Sequence, residues 1–261
     1  MRRLIRLIAF PLITLAAAHA SLAKTVSTTK VVHVFVALCD NLHQGIVPVP
    51  SHLGNGQSPR TNLYWGALYG VKTFFKSAEG WDLVSSRQNP RDGVLERCVF
   101  VSPNRGVVVV ADAYDGRNIR RTVEDFLSSS AGKFADSVLV DSTVIPCGGR
   151  AQLLAYVGHN GLMDCSLDKY PKAQDSICRR TIILACASKP LFREAIRSAG
   201  ACPLLWTTGL MAPEAYTLLA AVETWAAGQP DDSVRTSAAS AYSHYQKCSL
   251  RSARALLVTG W

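Results

Sequence analysis

The chain has 261 residues, of which 48% are hydrophobic, and its formal net charge is +9. A chain of this length can bury a sizeable core, so we expect a folded α/β protein and not a disordered chain. The positive charges are scattered Lys and Arg residues without interleaved aromatic residues, which argues against a nucleic-acid partner.

The first 23 residues have the pattern of a secretory signal peptide. A basic segment, MRRLIR, precedes the apolar run LIAFPLITLAAA, and small residues at 21–23, or alternatively at 18–20, form a cleavage site. Removing residues 1–23 lowers the net charge by three, to +6. No later segment approaches 18 uncharged apolar residues, so we expect an exported protein, periplasmic or secreted, without a stable membrane anchor. Residues 24–261 then form a single domain.

Short apolar runs bounded by turn residues predict the strands of a mostly parallel sheet. The predicted strands cover residues 30–38, 97–102, 106–113, 153–157, 181–185 and 202–208, and residues 138–145 fit either an edge strand or an extended arm. Helical periodicity or capping predicts helices over 62–76, 118–129, 189–199 and 213–227, with one or two more in 231–257. Ser188 is the predicted cap of the third helix. This alternation predicts a three-layer α/β/α sandwich, whose functional sites form beyond the carboxyl ends of the strands.

Eight cysteines are present, and export permits disulfides. No CxxC or Cys/His spacing indicates a zinc site, so we expect neither a metal nor a cofactor. Cys165 and Cys178 flank one loop and form a plausible bridge, although the connectivity does not follow from the sequence.

Two of the predicted strands end in reactive side chains. The run LLAYV leads into His159, and the run TIILA leads into Cys186. Because parallel strands end at the same edge of a sheet and lie about 4.8 Å apart, the imidazole and the thiol can face one substrate. A helix that begins directly after Cys186 favours the thiolate. A buried, inert cysteine and a solvated histidine remain the alternatives.

The order of these segments resembles the caspase, legumain and gingipain clan of cysteine peptidases. ILACASKPLF resembles the strand–Ala–Cys–x–Ser–x–x–Phe segment of its legumain and glycosylphosphatidylinositol-transamidase branch. LLWTTGLMAPEAY resembles the downstream strand and helix start of that branch, and PRTNLYWGALYGVKTFF takes the place of its first helix. The resemblance covers roughly residues 31–216. One departure is Asn160, which separates His159 from Gly161, where the clan has Gly directly after His.

The resemblance implies a caspase-like fold and a role for each matched residue. Cys186 would be the nucleophile and His159 the proton donor, and the N–H groups of Gly161 and Cys186 would form the oxyanion hole. Asp40 or Asn41 would orient the histidine. Arg60, Thr208 and Glu214 would line the substrate pocket, with Arg60 favouring an acidic or amide residue before the cleaved bond.

Two function classes follow. The first is an exported cysteine endopeptidase whose partner is a peptide or protein substrate. The second is a catalytically inactive binding module of the cell envelope with the same fold. A serine hydrolase or a nucleotide-binding enzyme is disfavoured, because GxSxG and GxxxxGK[ST] are absent from the sequence. Asp112 and Asp115 at a strand end suggest a metal or phosphate site only weakly, and capping the following helix is the simpler role for them.

Overall fold

The structure is a computed structural model that describes residues 29–261, so the predicted signal peptide lies outside the described residues. An eight-stranded sheet forms its centre, and a two-stranded hairpin packs beside that sheet. The strands in chain order are β1 (Lys30–Ala37), β2 (Asp82–Arg91), β3 (Val94–Ser102), β4 (Val107–Tyr114), β5 (Ala135–Val140), β6 (Thr143–Gly148), β7 (Leu153–Gly158), β8 (Arg180–Leu184), β9 (Cys202–Thr207) and β10 (Leu257–Val258).

The strand order in the large sheet is β10-β9-β8-β7-β1-β4-β3-β2. The five strands from β9 to β4 are parallel to one another. At the two sides of this parallel block, β10 and β3 run antiparallel to their neighbours, and β2 runs antiparallel to β3. The prediction of a mostly parallel sheet is therefore confirmed.

Helices cover both faces of the sheet. They are α1 (Val71–Ser77), α2 (Ile119–Ser130), α3 (Gly161–Asp164), α4 (Ser188–Ser198), α5 (Ala215–Ala226), α6 (Asp231–Gln246) and α7 (Leu250–Leu256). One hydrophobic core joins the sheet to α1, α5, α6 and α7, and a second core joins the opposite face to α2 and α4. This arrangement is compatible with the predicted three-layer α/β/α sandwich.

The central strand β1 shows why these parallel strands read as continuous apolar runs. Val32, Val34 and Val36 point into the first core, whereas Phe35 and Ala37 point into the second. Successive side chains alternate between the two faces of a strand, and helices cover both faces here. Apart from His33 of β1 and Asp112 of β4, polar residues of the parallel strands lie at the strand ends, and the candidate site forms beyond these ends.

A buried ionic cluster connects β1, β3 and β4 to the β5–β6 hairpin. Arg97 donates to both oxygens of Asp112 at 2.6 and 2.7 Å and to Asp136 of the hairpin at 2.6 Å. His33 Nδ1 accepts the N–H of Gly148 at 2.9 Å, which leaves the proton on Nε2, 3.2 Å from Asp112. Asp112 is thus neutralised by protein cations, which is a structural role and not that of a metal or phosphate ligand.

The predicted helix over residues 62–76 is wrong in its first half. Helix α1 begins only at Val71, and residues 62–70 form consecutive turns. The Asn62 side chain accepts from the N–H of Cys39 and donates to the carbonyl of the same residue, which holds it against the end of β1. Gly66 packs so tightly that a Cβ atom would lie 2.1 Å from the Arg60 carbonyl. Contacts with distant residues therefore override the local helical periodicity.

Three further predictions need correction. Residues 138–145 belong to the β5–β6 hairpin and are neither an edge strand of the main sheet nor an extended arm. Ala187, not Ser188, is the N-cap of α4, because the Ser188 hydroxyl instead donates to the Ile183 carbonyl. The disulfide joins Cys178 to Cys202, so the bridge between Cys165 and Cys178 was the wrong pairing. The free cysteines among the described residues are Cys39, Cys98, Cys147, Cys165, Cys186 and Cys248.

Candidate active site

His159 and Cys186 lie at matching positions beyond two adjacent parallel strands. In the register of β7 and β8, Val157 is paired with Leu184, and each reactive residue follows its paired residue by two positions. Because neighbouring strands are about 4.8 Å apart, this register brings the two backbones side by side at the carboxyl edge. The two residues that the sequence singled out therefore follow strand ends that are level with one another.

Gly158 and Asn160 shape the turn that carries His159. Gly158 has φ +137°, a conformation that L side chains rarely adopt, and a Cβ atom there would lie 2.5 Å from the Ala37 carbonyl. Asn160 accepts from the Leu162 N–H at the start of α3, and its amide donates to the Cys186 carbonyl at 2.6 Å. The residue that interrupts the His-Gly pair in the sequence therefore links the two reactive strand ends.

The partner of the His159 imidazole is Asp164, the last residue of the short helix α3. His159 Nε2 lies 3.0 Å from Asp164 Oδ2, although its N–H direction falls short of hydrogen-bond alignment. The same carboxylate oxygen accepts the Gly45 N–H at 3.1 Å. With Nε2 directed to the carboxylate, Nδ1 is the ring nitrogen left for a thiol or a leaving group. The sequence reasoning missed Asp164, whose signal was a carboxylate five residues after the histidine.

The Cys186 thiol is half-buried and lies against the backbone of Met211. Its Sγ accepts the Met211 N–H at 3.4 Å and lies 3.5 Å from the carbonyl oxygen of that residue. The next residue, Ala187, has φ +47°, a left-handed conformation that costs a non-glycine residue roughly 1–2 kcal/mol. Such strain at the start of a helix is typical of functional turns.

The two predicted oxyanion donors differ in their surroundings. The N–H of Cys186 has no hydrogen-bond acceptor within residues 29–261. The N–H of Gly161 likewise has no acceptor among these residues, but Gly161 is buried, whereas Cys186 is half-buried. The nearby Tyr156 hydroxyl donates to the His159 carbonyl at 2.7 Å. Burial raises the pKa of Tyr156, so it remains a neutral phenol. In this conformation the Cys186 N–H is thus the donor that is open to a substrate.

Asp40 and Asn41 contact other groups than His159 in the described chain. The Asp40 carboxylate lies 3.0 Å from His43 Nδ1 and accepts from Gln57 at 2.7 Å, whereas Asn41 pairs with the backbone of Val49. Although burial raises the pKa of Asp40, the hydrogen bonds from Gln57, the Leu42 N–H and His43 keep that pKa below its usual value. Asp40 therefore orients His43.

The three predicted substrate-binding residues lie in different places. Exposed Arg60 lines a cavity of about 410 Å³ together with Gln88 of β2 and Glu96 of β3. The Thr208 hydroxyl donates to the Ala255 carbonyl at 2.9 Å, and the Thr208 N–H donates to the Leu256 carbonyl. Both bonds connect Thr208 to α7. Glu214 directly precedes α5, three residues after Met211. Thr208 and Glu214 are therefore both close to Cys186 along the chain, because Thr208 precedes Gly209, whose carbonyl accepts the Ala187 N–H at 2.8 Å, and Glu214 follows the Met211 contact.

Comparisons with protein-family models, with curated proteins and with solved structures found no match to this chain. We therefore infer the function from the geometry of the site. Within residues 29–261, no group of three or more His, Cys, Asp or Glu residues is arranged to hold a metal ion. The described helices also include none that is long and apolar enough to cross a membrane.

Proposed function

We propose that this protein is a cysteine peptidase-like hydrolase with the fold of the caspase and legumain clan. The observation that supports the proposal is the β7–β8 register, in which the last paired residues of the two strands lie level with one another, two residues before His159 and Cys186, at the carboxyl edge of a mostly parallel sheet. Ligand and catalytic sites of open α/β sheets form at this edge. The Asn160 bridge to the Cys186 carbonyl further supports a single, preorganised site.

The chemistry follows from the positions of these groups. The Cys186 thiolate attacks the carbonyl carbon of a peptide bond, and the oxyanion that develops accepts a hydrogen bond from the Cys186 N–H. The His159 imidazolium then protonates the leaving amine as the C–N bond breaks, which leaves a thioester on Cys186. A water molecule, deprotonated by the same imidazole, hydrolyses the thioester and restores the thiol. Asp164 stabilises the imidazolium through Nε2.

Export is part of the same proposal. The disulfide between Cys178 and Cys202 is of the kind that forms and persists in oxidising compartments. It agrees with the predicted signal peptide and therefore supports a periplasmic or secreted location. A polypeptide in that compartment is the expected substrate.

A second candidate function, a binding module without hydrolysis, is favoured by one observation. Gly161 is buried, and the Cys186 thiol contacts Met211 with no hydrogen bond to His159 in the described structure. If this arrangement persists with a peptide bound, the imidazole cannot serve as the general base for the thiol. The site would then bind a polypeptide without cleaving it.

Covalent labelling distinguishes the two functions. We expect a peptide chloromethyl ketone to modify Cys186 in the folded protein, with the modified residue identified by peptide mapping and mass spectrometry. Cys186→Ala should abolish this label, His159→Ala should slow it at least about tenfold, and Cys248→Ala, which alters another half-buried free cysteine, should leave it unchanged. A label rate that is the same in wild type and His159→Ala, or no label on Cys186, contradicts the hydrolase.

A further inference from the structure

A carboxylate without a cation lies on the cysteine side of the site. Met211, whose backbone contacts Cys186 Sγ, is followed three residues later by Glu214. Three residues span at most about 11 Å, so the Glu214 backbone stays within that distance of Met211. The Glu214 N–H donates to the Ala212 carbonyl at 2.9 Å, which folds the chain back towards Met211. Helix α6 spans the same stretch, since the Tyr242 hydroxyl accepts the Ala212 N–H at 3.2 Å and Gln246 donates to Glu214 at 3.2 Å.

The surroundings of Glu214 hold the carboxylate in place without neutralising it. Its Oε2 accepts the Tyr216 hydroxyl at 2.8 Å and the Gln246 amide at 3.2 Å. The Tyr216 ring is stacked on that of Tyr245, with the centroids 4.3 Å apart. No Lys, Arg or His among residues 29–261 forms an ion pair with Glu214, although it is half-buried. Burial raises the pKa of this carboxyl, which shows that its charge is partly desolvated. A cation that approached it would therefore gain more interaction free energy than at a fully solvated carboxylate.

Arg60, the cation that the resemblance assigned to the substrate pocket, lies at another part of the sheet. Arg60 shares its cavity with Gln88 and Glu96, on strands β2 and β3. In the sheet order β3 is four strands away from β8, which corresponds to roughly 19 Å at the usual strand spacing. Lys189, three residues after Cys186, holds its ammonium group over the Trp206 ring, 5.4 Å from the centroid. The charged residue that follows the Met211 contact of the thiol is negative.

We infer that Glu214 is the specificity-determining residue of the site and takes the cationic side chain, lysine or arginine, of the substrate residue that precedes the attacked bond. The inference rests on the proposed function and names its substrate class. The four-carbon stem of lysine would extend from the attacked carbonyl beside Cys186 towards Glu214, whose carboxylate the Tyr216 hydroxyl contacts. Tyr216 and Gln246 hold Oε2, so Oε1 is the oxygen left for the ammonium or guanidinium group.

Peptide binding tests the inference independently of turnover. The probes are fluorescent peptides that differ only at one position, which is Lys, Gln or Glu, and their binding to the Cys186→Ala protein is measured by fluorescence anisotropy. We expect the Lys peptide to bind at least about tenfold more tightly than the Gln peptide, as for a charge-assisted hydrogen bond. Glu214→Gln should reduce this ratio to within about twofold, because the amide keeps the shape and loses the charge.

Two further variants complete the test. Glu214→Lys should reverse the preference in favour of the Glu peptide, whereas Glu194→Gln, which removes an exposed carboxylate on α4, should leave the Lys preference intact. The Lys preference should also fade on acidification at a pH above the usual pKa of glutamate, because only the ionised carboxylate attracts the ammonium group.

Equal binding of the three peptides, tighter binding of the Gln or Glu peptide as Arg60 would predict, or an unchanged ratio in Glu214→Gln would overturn the inference. Its failure is distinguishable from that of the hydrolase. A Lys preference without any covalent label on Cys186 would support the cation-binding site and exclude the peptidase function. A label on Cys186 without a Lys preference would support the peptidase function and exclude the cation-binding site.

Discussion

Substitution of Asp112 should lower the free energy of unfolding strongly, and Asp112→Asn therefore tests the buried ionic cluster. The carboxylate is fully buried and accepts two hydrogen bonds from Arg97, one from His33 and a longer one, at 3.4 Å, from Arg91. The substitution preserves the shape and removes the charge, which leaves the Arg97 guanidinium with Asp136 as its remaining partner. Removing one member of a buried ion pair typically costs 3–5 kcal/mol, and we expect about 3 kcal/mol because Asp136 remains.

Urea denaturation followed by circular dichroism measures this effect. With an m-value of about 3 kcal/mol/M, the urea midpoint of Asp112→Asn should fall by about 1 M. Asp232→Asn, which alters an exposed carboxylate on α6, should change the free energy of unfolding by less than about 1 kcal/mol. A loss of less than about 1 kcal/mol in Asp112→Asn would show that the cluster is not what holds the hairpin to the sheet.

The same carboxylate predicts a direction of pH dependence. Although burial raises the pKa of Asp112, the hydrogen bonds from Arg97 and His33 bring it far below its usual value in the folded protein. The stabilisation is therefore complete above the unfolded-state pKa of about 3.9 and is lost as the pH falls below it. The difference in stability between wild type and Asp112→Asn should accordingly shrink below about pH 4, and a difference that grows there would contradict the assignment.

Two remaining predictions concern the site and the disulfide. Asp164→Asn should slow covalent labelling of Cys186 at least about tenfold and change the pH profile of labelling, since the imidazolium loses its counter-charge; an unchanged rate and profile would exclude Asp164 as a positioning residue. Cys178→Ser should lower the free energy of unfolding by about 3 kcal/mol, as the loss of a cross-link over 24 residues, whereas Cys165→Ser should have little effect. Peptide mapping without reduction should recover Cys178 joined to Cys202, and a bridge to Cys165 would refute this pairing.

The apolar runs of the sequence were sufficient to predict the parallel core of the sheet. A fully buried parallel strand must be apolar on both faces, so β1, β4, β7, β8 and β9 were recognisable without any knowledge of their neighbours. Because such strands share a carboxyl edge, local sequence predicted that His159 and Cys186 leave the sheet at one edge, whereas the pairing of β7 with β8 depended on the tertiary structure. The helices α2 and α5 were also predicted, since their periodicity agrees with the face that they bury.

Long-range contacts decided everything that local sequence left open. The turns over 62–70 depend on Asn62 binding the end of β1, and β2, a largely exposed strand without an apolar run, went unpredicted. The disulfide partner of Cys178 depends on which strand lies next to β8.

The charges around the two reactive side chains are among the features that long-range contacts decided. By itself the sequence determined where the imidazole and the thiol leave the sheet, because the period of a strand and the direction of a parallel sheet are local properties. Only the tertiary structure decided that Asp164, and not Asp40, lies beside the imidazole and that Glu214, and not Arg60, follows the thiol contact. Such pairings depend on how loops from separate strands pack over one edge, and no spacing along the chain encodes them.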